Sequence, residues 1–209
     1  MSIIQRPVTP AEISTTLREL IDDLVPGGVP FYVDVLPLFG EAIDECFPLV
    51  NKRVGDDGGS SVIGWSLWEL PGMFVEAEFH SIWRKPDGSL LDISPKKSAT
   101  ARVFFLPDPM RAYEGRQVNN IRIPVVGDPR LKAYLNTYSA EFELLNRGDR
   151  AGQHGEMCLI GAEAVEYENI QAERGNLFLG LLHLLPRFNP YLPCPCGSGK
   201  KMKWCHKDW

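Results

Sequence analysis

Two groups of side chains in this sequence have the types and the spacing to do chemistry. One is Cys46, His80 and Asp92; the other is Cys194, Cys196, Cys205 and His206, in the pattern C-x-C-x8-C-H. A thiol, an imidazole and a carboxylate are the parts of an activated cysteine, in which the imidazole takes the thiol proton and the carboxylate orients the ring. The C-terminal four are soft or borderline ligands in two close pairs, and a single fold-back of the chain brings them to a tetrahedron around zinc. Gly197 and Gly199 lie where that turn needs permissive backbone angles. A tail with so few bulky apolar residues has no core of its own, and a metal is what can hold it.

The run GSGKK within the tail invites a phosphate-loop reading, which fails. That motif needs glycine at 194, where Cys194 stands, and serine or threonine at 201, where Lys201 stands.

The first group depends on how a helix and a hairpin place it. Pro48 is tolerated only where a backbone N–H has no helical partner, so Cys46 is predicted in or just before the first turn of a helix over about 44–53. That position meets the positive end of the helix dipole, which favours the thiolate; Phe47, which precedes the proline, is the alternative cap. The stretch KPDGS, 85–89, suits a type I turn closed by a glycine bulge. It pairs Lys85 with Ser89 and Ile82 with Asp92, so His80 and Asp92 become diagonal neighbours on one face, with Val75, Ala77, Phe79 and Trp83 on the other. Glu76 and Glu78 share the His80 face, where they could raise its basicity or be solvated. The inert alternative makes Cys46 a small core residue and His80 an exposed or satisfied strand residue, so both readings stand.

The surroundings are those of a packed protein: 44% hydrophobic and 10% aromatic residues over 209 positions allow one ordinary domain and an appendage. No apolar run is long enough for a membrane helix, the start lacks the build of a secretion signal, and five cysteines are an odd number. The expectation is a cytoplasmic protein with reduced thiols and no membrane insertion. Charge is uneven. From residue 187 onward Arg187, Lys200, Lys201, Lys203 and Lys207 stand against Asp208, a tail of +4 that leaves −9 for the rest of a chain whose net charge is −5. An RNA or acidic protein partner is therefore expected to meet the tail and be repelled by the body.

The predicted order is helix, strands, helices, tail. A first helix is expected with Thr9 as cap, Pro10 at its first position, Glu12 completing a capping box, and Ile13, Leu17, Leu20, Ile21 and Leu24 on one face. Strands are expected over 61–70, 73–84, 89–94, 102–106 and near 121–126, and 31–38 is expected to be a strand or extended segment. Asp128 and Pro129 open a helix with Leu131, Tyr134, Leu135, Tyr138, Phe142 and Leu145 on one face, and another helix covers about 160–185. Trp65, Trp68 and Trp83 are core or groove aromatics, and with Tyr32 could line a cleft. His154 and Cys158 could ligate a metal, though structural roles fit that loop better. The fold class is α+β, mainly antiparallel sheet flanked by helices: a body over 1–185, a proline-rich linker over 186–193 and a zinc module over 194–209.

The stretch PCPCGSGKKMKWCH closely resembles the SEC-C motif, the zinc-binding module at the C-terminus of the SecA translocation ATPase and an appendage on many unrelated bacterial proteins. The resemblance covers only the tail. It implies Zn2+ on Cys194, Cys196, Cys205 and His206 and a docking role toward a protein such as the SecB chaperone, or toward the ribosome. Over roughly 40–95 the order cysteine, histidine, aspartate and the stretch FHSIWRKPDGSLLDISP are similar to papain-like, transglutaminase-type folds. That resemblance implies a cysteine hydrolase or acyltransferase acting on amide or thioester bonds. The tryptophan that often flanks the cysteine in such folds is absent, and no oxyanion donor is identifiable beyond a backbone N–H near Cys46. Two functions thus stand side by side: a zinc-binding adaptor whose tail docks the body, and a cysteine enzyme whose tail targets it.

Overall fold

The computed structural model describes residues 6–43, 45–96, 100–155, 157–185, 191 and 199–205. Its architecture is α+β, with a mostly antiparallel, nearly closed sheet and flanking helices, as the alternation of patterns predicts. Among the described residues no helix is long and apolar enough to cross a membrane.

The first helix, α1 (Thr15–Leu24), begins later than expected. Its cap is Ser14, whose hydroxyl accepts from the Leu17 N–H. Thr9 is used elsewhere, donating to the Arg102 carbonyl at 2.7 Å, because Val8 pairs with Glu69 and draws this segment onto the sheet. Leu17, Leu20 and Ile21 are the helix residues buried in the core, as their spacing requires.

The strands are β1 (Phe31–Asp34), β2 (Ser60–Leu70), β3 (Phe74–Arg84), β4 (Leu90–Leu91), β5 (Arg102–Pro107) and β6 (Ile121–Pro124). They run in the order β1-β5-β2-β3-β4, with β6 also on β3. Between β3 and β4 the turn has the expected form. Lys85 N–H donates to the Ser89 carbonyl at 2.9 Å, Gly88 N–H to the Lys85 carbonyl at 2.9 Å, and Gly88 takes a φ of 85° that glycine alone adopts cheaply.

The predicted strand over 89–94 is divided between two partners. Leu90 and Leu91 pair with β3, after which Asp92 leaves it, bridges Val35 in parallel and donates its N–H to the Asp34 carbonyl. Ile93 continues this seam by accepting from Leu38 N–H at 2.9 Å. The two ends of the sheet are thereby joined into a ring.

Alternation gives the ring an inside and an outside. Ile82, Val33, Val103 and Phe105 cluster inside it. Outside, Trp65, Leu67, Val75, Ala77, Phe79, Phe104 and Leu106 pack under α1 and the start of α2 (Cys46–Asp57). A second core at the β2–β3 turn joins Leu70, Met73 and Phe74 to Leu131, Tyr134 and Leu135 of α3 (Pro129–Leu145) and Leu181 of α4 (Ala162–Leu181). Asp128 caps α3 through the Arg130 N–H, and Pro129 follows as expected. Tyr138 is partly buried against this cluster, with the Arg122 and Arg174 guanidiniums 4.3 and 3.9 Å from its ring centroid.

The tail contributes Tyr191 and residues 199–205, including the short helix α5 (Met202–Cys205). Cys194, Cys196 and His206 lie outside the described residues, as does all of the expected linker except Tyr191.

Candidate functional site

On one edge of β3, β6 covers residues 74–77 and β4 covers 83–84. Residues 78–82 fall between the two, and the site is assembled beside this interval.

His80 projects to the inner side of the ring and is 1% exposed. Its Nε2 lies 3.0 Å from Oδ2 of Asp92, which is fully buried. The register set by the KPDGS turn brings the two together across the strands. Asp92 is held from both sides: its backbone closes the ring on β1, and its Oδ1 accepts the Ser94 N–H at 3.0 Å. With Nε2–H directed at the carboxylate, the second ring nitrogen, Nδ1, is buried and has no hydrogen-bond partner among the described residues.

Cys46 comes from the other side. It is the first residue of α2, with Glu45 as cap, and Pro48 sits in the first turn, where it breaks no helical bond. The first backbone bond of the helix is Leu49 N–H to the Glu45 carbonyl, at 3.2 Å. Cys46 is therefore inside the helix, and Phe47 is not its cap. The thiol is free and largely buried, and Cys46 and His80 line the same cleft of about 1080 Å³, with Trp68, Glu78, Lys96 and Tyr113 also on its wall.

Lys96 joins this group without any signal in the sequence beyond its position four residues after Asp92. Its Nζ is 2.8 Å from Asp92 Oδ2 and 3.2 Å from His80 Nε2. Burial disfavours its charge, but Asp92, then Glu78 and Cys46, outweigh burial and keep it protonated. Asp92 is likewise penalised by burial, and the His80 and Lys96 charges override this and hold its carboxyl well below the usual range. At His80, burial and Lys96 oppose protonation, yet Asp92 and Cys46 push it up to about 10.

His80 thus binds its proton more tightly in the folded protein than in the unfolded chain. The stability it contributes is complete below its ordinary value of about 6.5 and is lost as pH rises through about 10. The thermal midpoint is expected to fall between pH 7 and pH 10, and to fall less steeply in His80→Asn; equal slopes for the two proteins would remove His80 as the cause.

Glu76 and Glu78 share the His80 face but are engaged elsewhere. Glu78 accepts from the Trp68 indole at 2.9 Å, while Glu76 accepts from Asn120 and pairs with Arg122 at 3.1 Å. Trp65 and Trp83 are core, Trp68 is on the cleft wall, and Tyr32 packs against Phe104 and donates to the Pro10 carbonyl. His154 pairs with Glu45 at 2.5 Å, with Glu45 also accepting the Gly155 N–H at 2.6 Å, and Cys158 is exposed and free. The Glu45 contacts pin the 154–155 loop beside the start of α2, and Tyr113 stacks on Phe47 at 3.9 Å there.

A thiol, an imidazole with one nitrogen oriented and the other open, and an ammonium thus line one cleft, with a buried carboxylate behind the imidazole. The arrangement has the parts for proton transfer from a thiol and attack on a carbonyl carbon. Comparison with known proteins gives no match to a family model, a curated protein or a solved structure.

Proposed function

We propose that the body is a cysteine hydrolase or acyltransferase acting on amide or thioester bonds, with Cys46 as nucleophile, His80 as proton acceptor and donor, and Asp92 as the group that orients His80. The observation that carries this reading is the buried His80–Asp92 contact at 3.0 Å, with Nδ1 left unpartnered in the cleft that Cys46 also lines. Nδ1 holds the proton taken from the thiol, and Sγ adds to the substrate carbonyl. The leaving amine or thiol departs with the proton from His80, leaving a thioester on Cys46. Water or an acceptor amine then gives its proton to His80, attacks the thioester and releases Cys46. The N–H groups of the first turn of α2 are candidates to hold the oxyanion. The test is to incubate the protein with a small acyl thioester or activated ester and map the adduct by peptide mass spectrometry. An acyl group on Cys46 that is lost in Cys46→Ser is expected, and wild-type protein whose Cys46 stays unmodified throughout turnover overturns the proposal.

The tail has a separate proposed role, as a zinc-binding module that docks the body onto a protein, ribosomal or RNA partner. What supports it is an exposed aromatic and basic surface. Lys203 Nζ lies 4.3 Å from the Tyr191 ring centroid and 4.6 Å from that of Trp204, and both aromatic residues are exposed. Gly199, with φ of 72°, makes the kind of turn that a fold-back around a metal requires. Zinc on Cys194, Cys196, Cys205 and His206 would supply the fold energy that the tail lacks in apolar burial. Native mass spectrometry is expected to show one zinc per chain, lost in Cys194→Ser/Cys205→Ser; protein purified without chelator and found metal-free would refute it. Partner binding through the lysines should weaken as salt is raised.

A further inference from the structure

Five buried side-chain polar atoms have no hydrogen-bond partner among the described residues, and three of them belong to residues that line one cleft: His80 Nδ1, Ser94 Oγ and Asn146 Oδ1. The other two are Ser66 Oγ and Arg53 Nε, and Arg53 still pairs with Asp57 at 2.7 Å. A buried polar atom left unmet costs free energy, and a ligand that completes the hydrogen bonding accounts for several in one place. His80 Nδ1 has its part in the proposed proton transfer. Ser94 and Asn146 have none.

Both residues are held in place. The Ser94 N–H donates to Asp92 Oδ1 at 3.0 Å, so Ser94 is fixed by the same carboxylate that orients His80, and it is 2% exposed. Asn146 follows Tyr138, Phe142 and Leu145 on the face of α3 that lines the cleft, and its Nδ2 donates to the Phe142 carbonyl at 2.8 Å. That bond settles which way the amide faces, because turned over it would set Oδ1 against another oxygen. Oδ1 can only accept, whereas the Ser94 hydroxyl rotates and can donate.

These unmet atoms are neutral, while the buried charges of the cleft are largely met within the protein. Arg122 pairs with Glu76 at 3.1 Å, Arg174 with Glu141 at 2.5 Å, and Lys96 with Asp92 at 2.8 Å. Arg6 and Arg116 also line the cleft, but they are exposed, where water and salt screen their charge. The hydrogen bonds on offer therefore suit an uncharged group with one acceptor and one donor, which a secondary amide has and an alkyl chain lacks.

We infer that Ser94 and Asn146 are specificity-determining residues of the Cys46 cleft, reading a secondary amide that the substrate carries in addition to its scissile bond: the Ser94 hydroxyl donates to the amide carbonyl, and Asn146 Oδ1 accepts the amide N–H. The inference rests on the reading of Cys46 as nucleophile.

The experiment uses full-length, zinc-loaded protein and two pairs of thioester probes matched in length. In one pair the acyl group is N-acetylglycyl or pentanoyl; in the other the leaving thiol is N-acetylcysteamine or pentanethiol. The rate followed is the thiol release that Cys46→Ser abolishes. Wild-type protein is expected to favour the amide-bearing member of at least one pair, and Ser94→Ala to lower that preference by about threefold to tenfold, the range of one neutral hydrogen bond. Asn146→Ala should lower it likewise. Each preference is a ratio measured on one preparation, so it does not depend on how much of a variant is folded. Because Ser94→Ala also deletes an unmet hydroxyl, its thermal midpoint should hold or rise. An unchanged preference in either variant removes that residue, and in both it overturns the inference. Failure of the nucleophile reads differently. Wild-type protein that releases no more thiol than Cys46→Ser from any probe sinks both proposals, whereas Cys46-dependent release with no amide preference sinks only this one.

Discussion

Replacing His80 with alanine is expected to slow alkylation of Cys46 at pH 7 by about a hundredfold, the smaller end of what a positioned proton acceptor contributes. The argument is geometric before it is electrostatic. Cys46 is held at the first position of α2, His80 lines the same cleft, and the His80 ring is oriented by Asp92 so that Nδ1 is open. Cys158 is exposed and would label at its own rate, so the comparison belongs in a Cys158→Ser background. The competing outcome is equally concrete. If Cys46 labels only in denaturant, with or without His80, then it is a packed core residue beside Phe47 and Phe79, and the site has no nucleophile.

The second large effect concerns stability. Asp92→Ala removes a carboxylate that both His80 and Lys96 contact, and leaves their charges buried without that partner. Breaking a buried pair in this way costs about 3–5 kcal/mol, which for a chain of this size lowers the thermal midpoint by roughly 6–20 °C. Asp92→Asn keeps the shape and loses the charge, so it should fall near the same value. Adding Lys96→Met to Asp92→Asn removes one of the two orphaned cations and should return part of the loss. If the double variant is no more stable than Asp92→Asn, the cost lies in shape and backbone packing at the ring seam instead of in charge.

The legible parts of this protein are those governed by local rules. Lys85-Pro86-Asp87-Gly88-Ser89 admits one turn, that turn admits one register, and the register places His80 beside Asp92. Pro48 restricts where α2 can begin, and it begins at Cys46. Illegible are the features that depend on who meets whom across the chain. Thr9 and Ser14 are both good caps, and only the pairing of Val8 with Glu69 takes Thr9 out of contention. Lys96 follows Asp92 by four residues outside any helix, so no periodicity points it back at the carboxylate. The seam between Asp92 and Val35 joins segments far apart in sequence, and a strand pattern over 89–94 cannot announce that its two halves pair with different neighbours. Glu45 and His154 meet over a still longer separation. In the tail the legible signal is ligand types at fixed spacing, and Cys194, Cys196 and His206 lie outside the described residues.

The seam at Asp92 also sets the order in which reactivity can arise. Its backbone joins the last strand of the ring to the first, and its side chain is the anchor of His80. While the chain is still finding its pairing, the carboxylate has no fixed place, the imidazole has no fixed tautomer, and Cys46 is an ordinary thiol. On the proposed function, closure of the ring and arming of Cys46 are therefore one event.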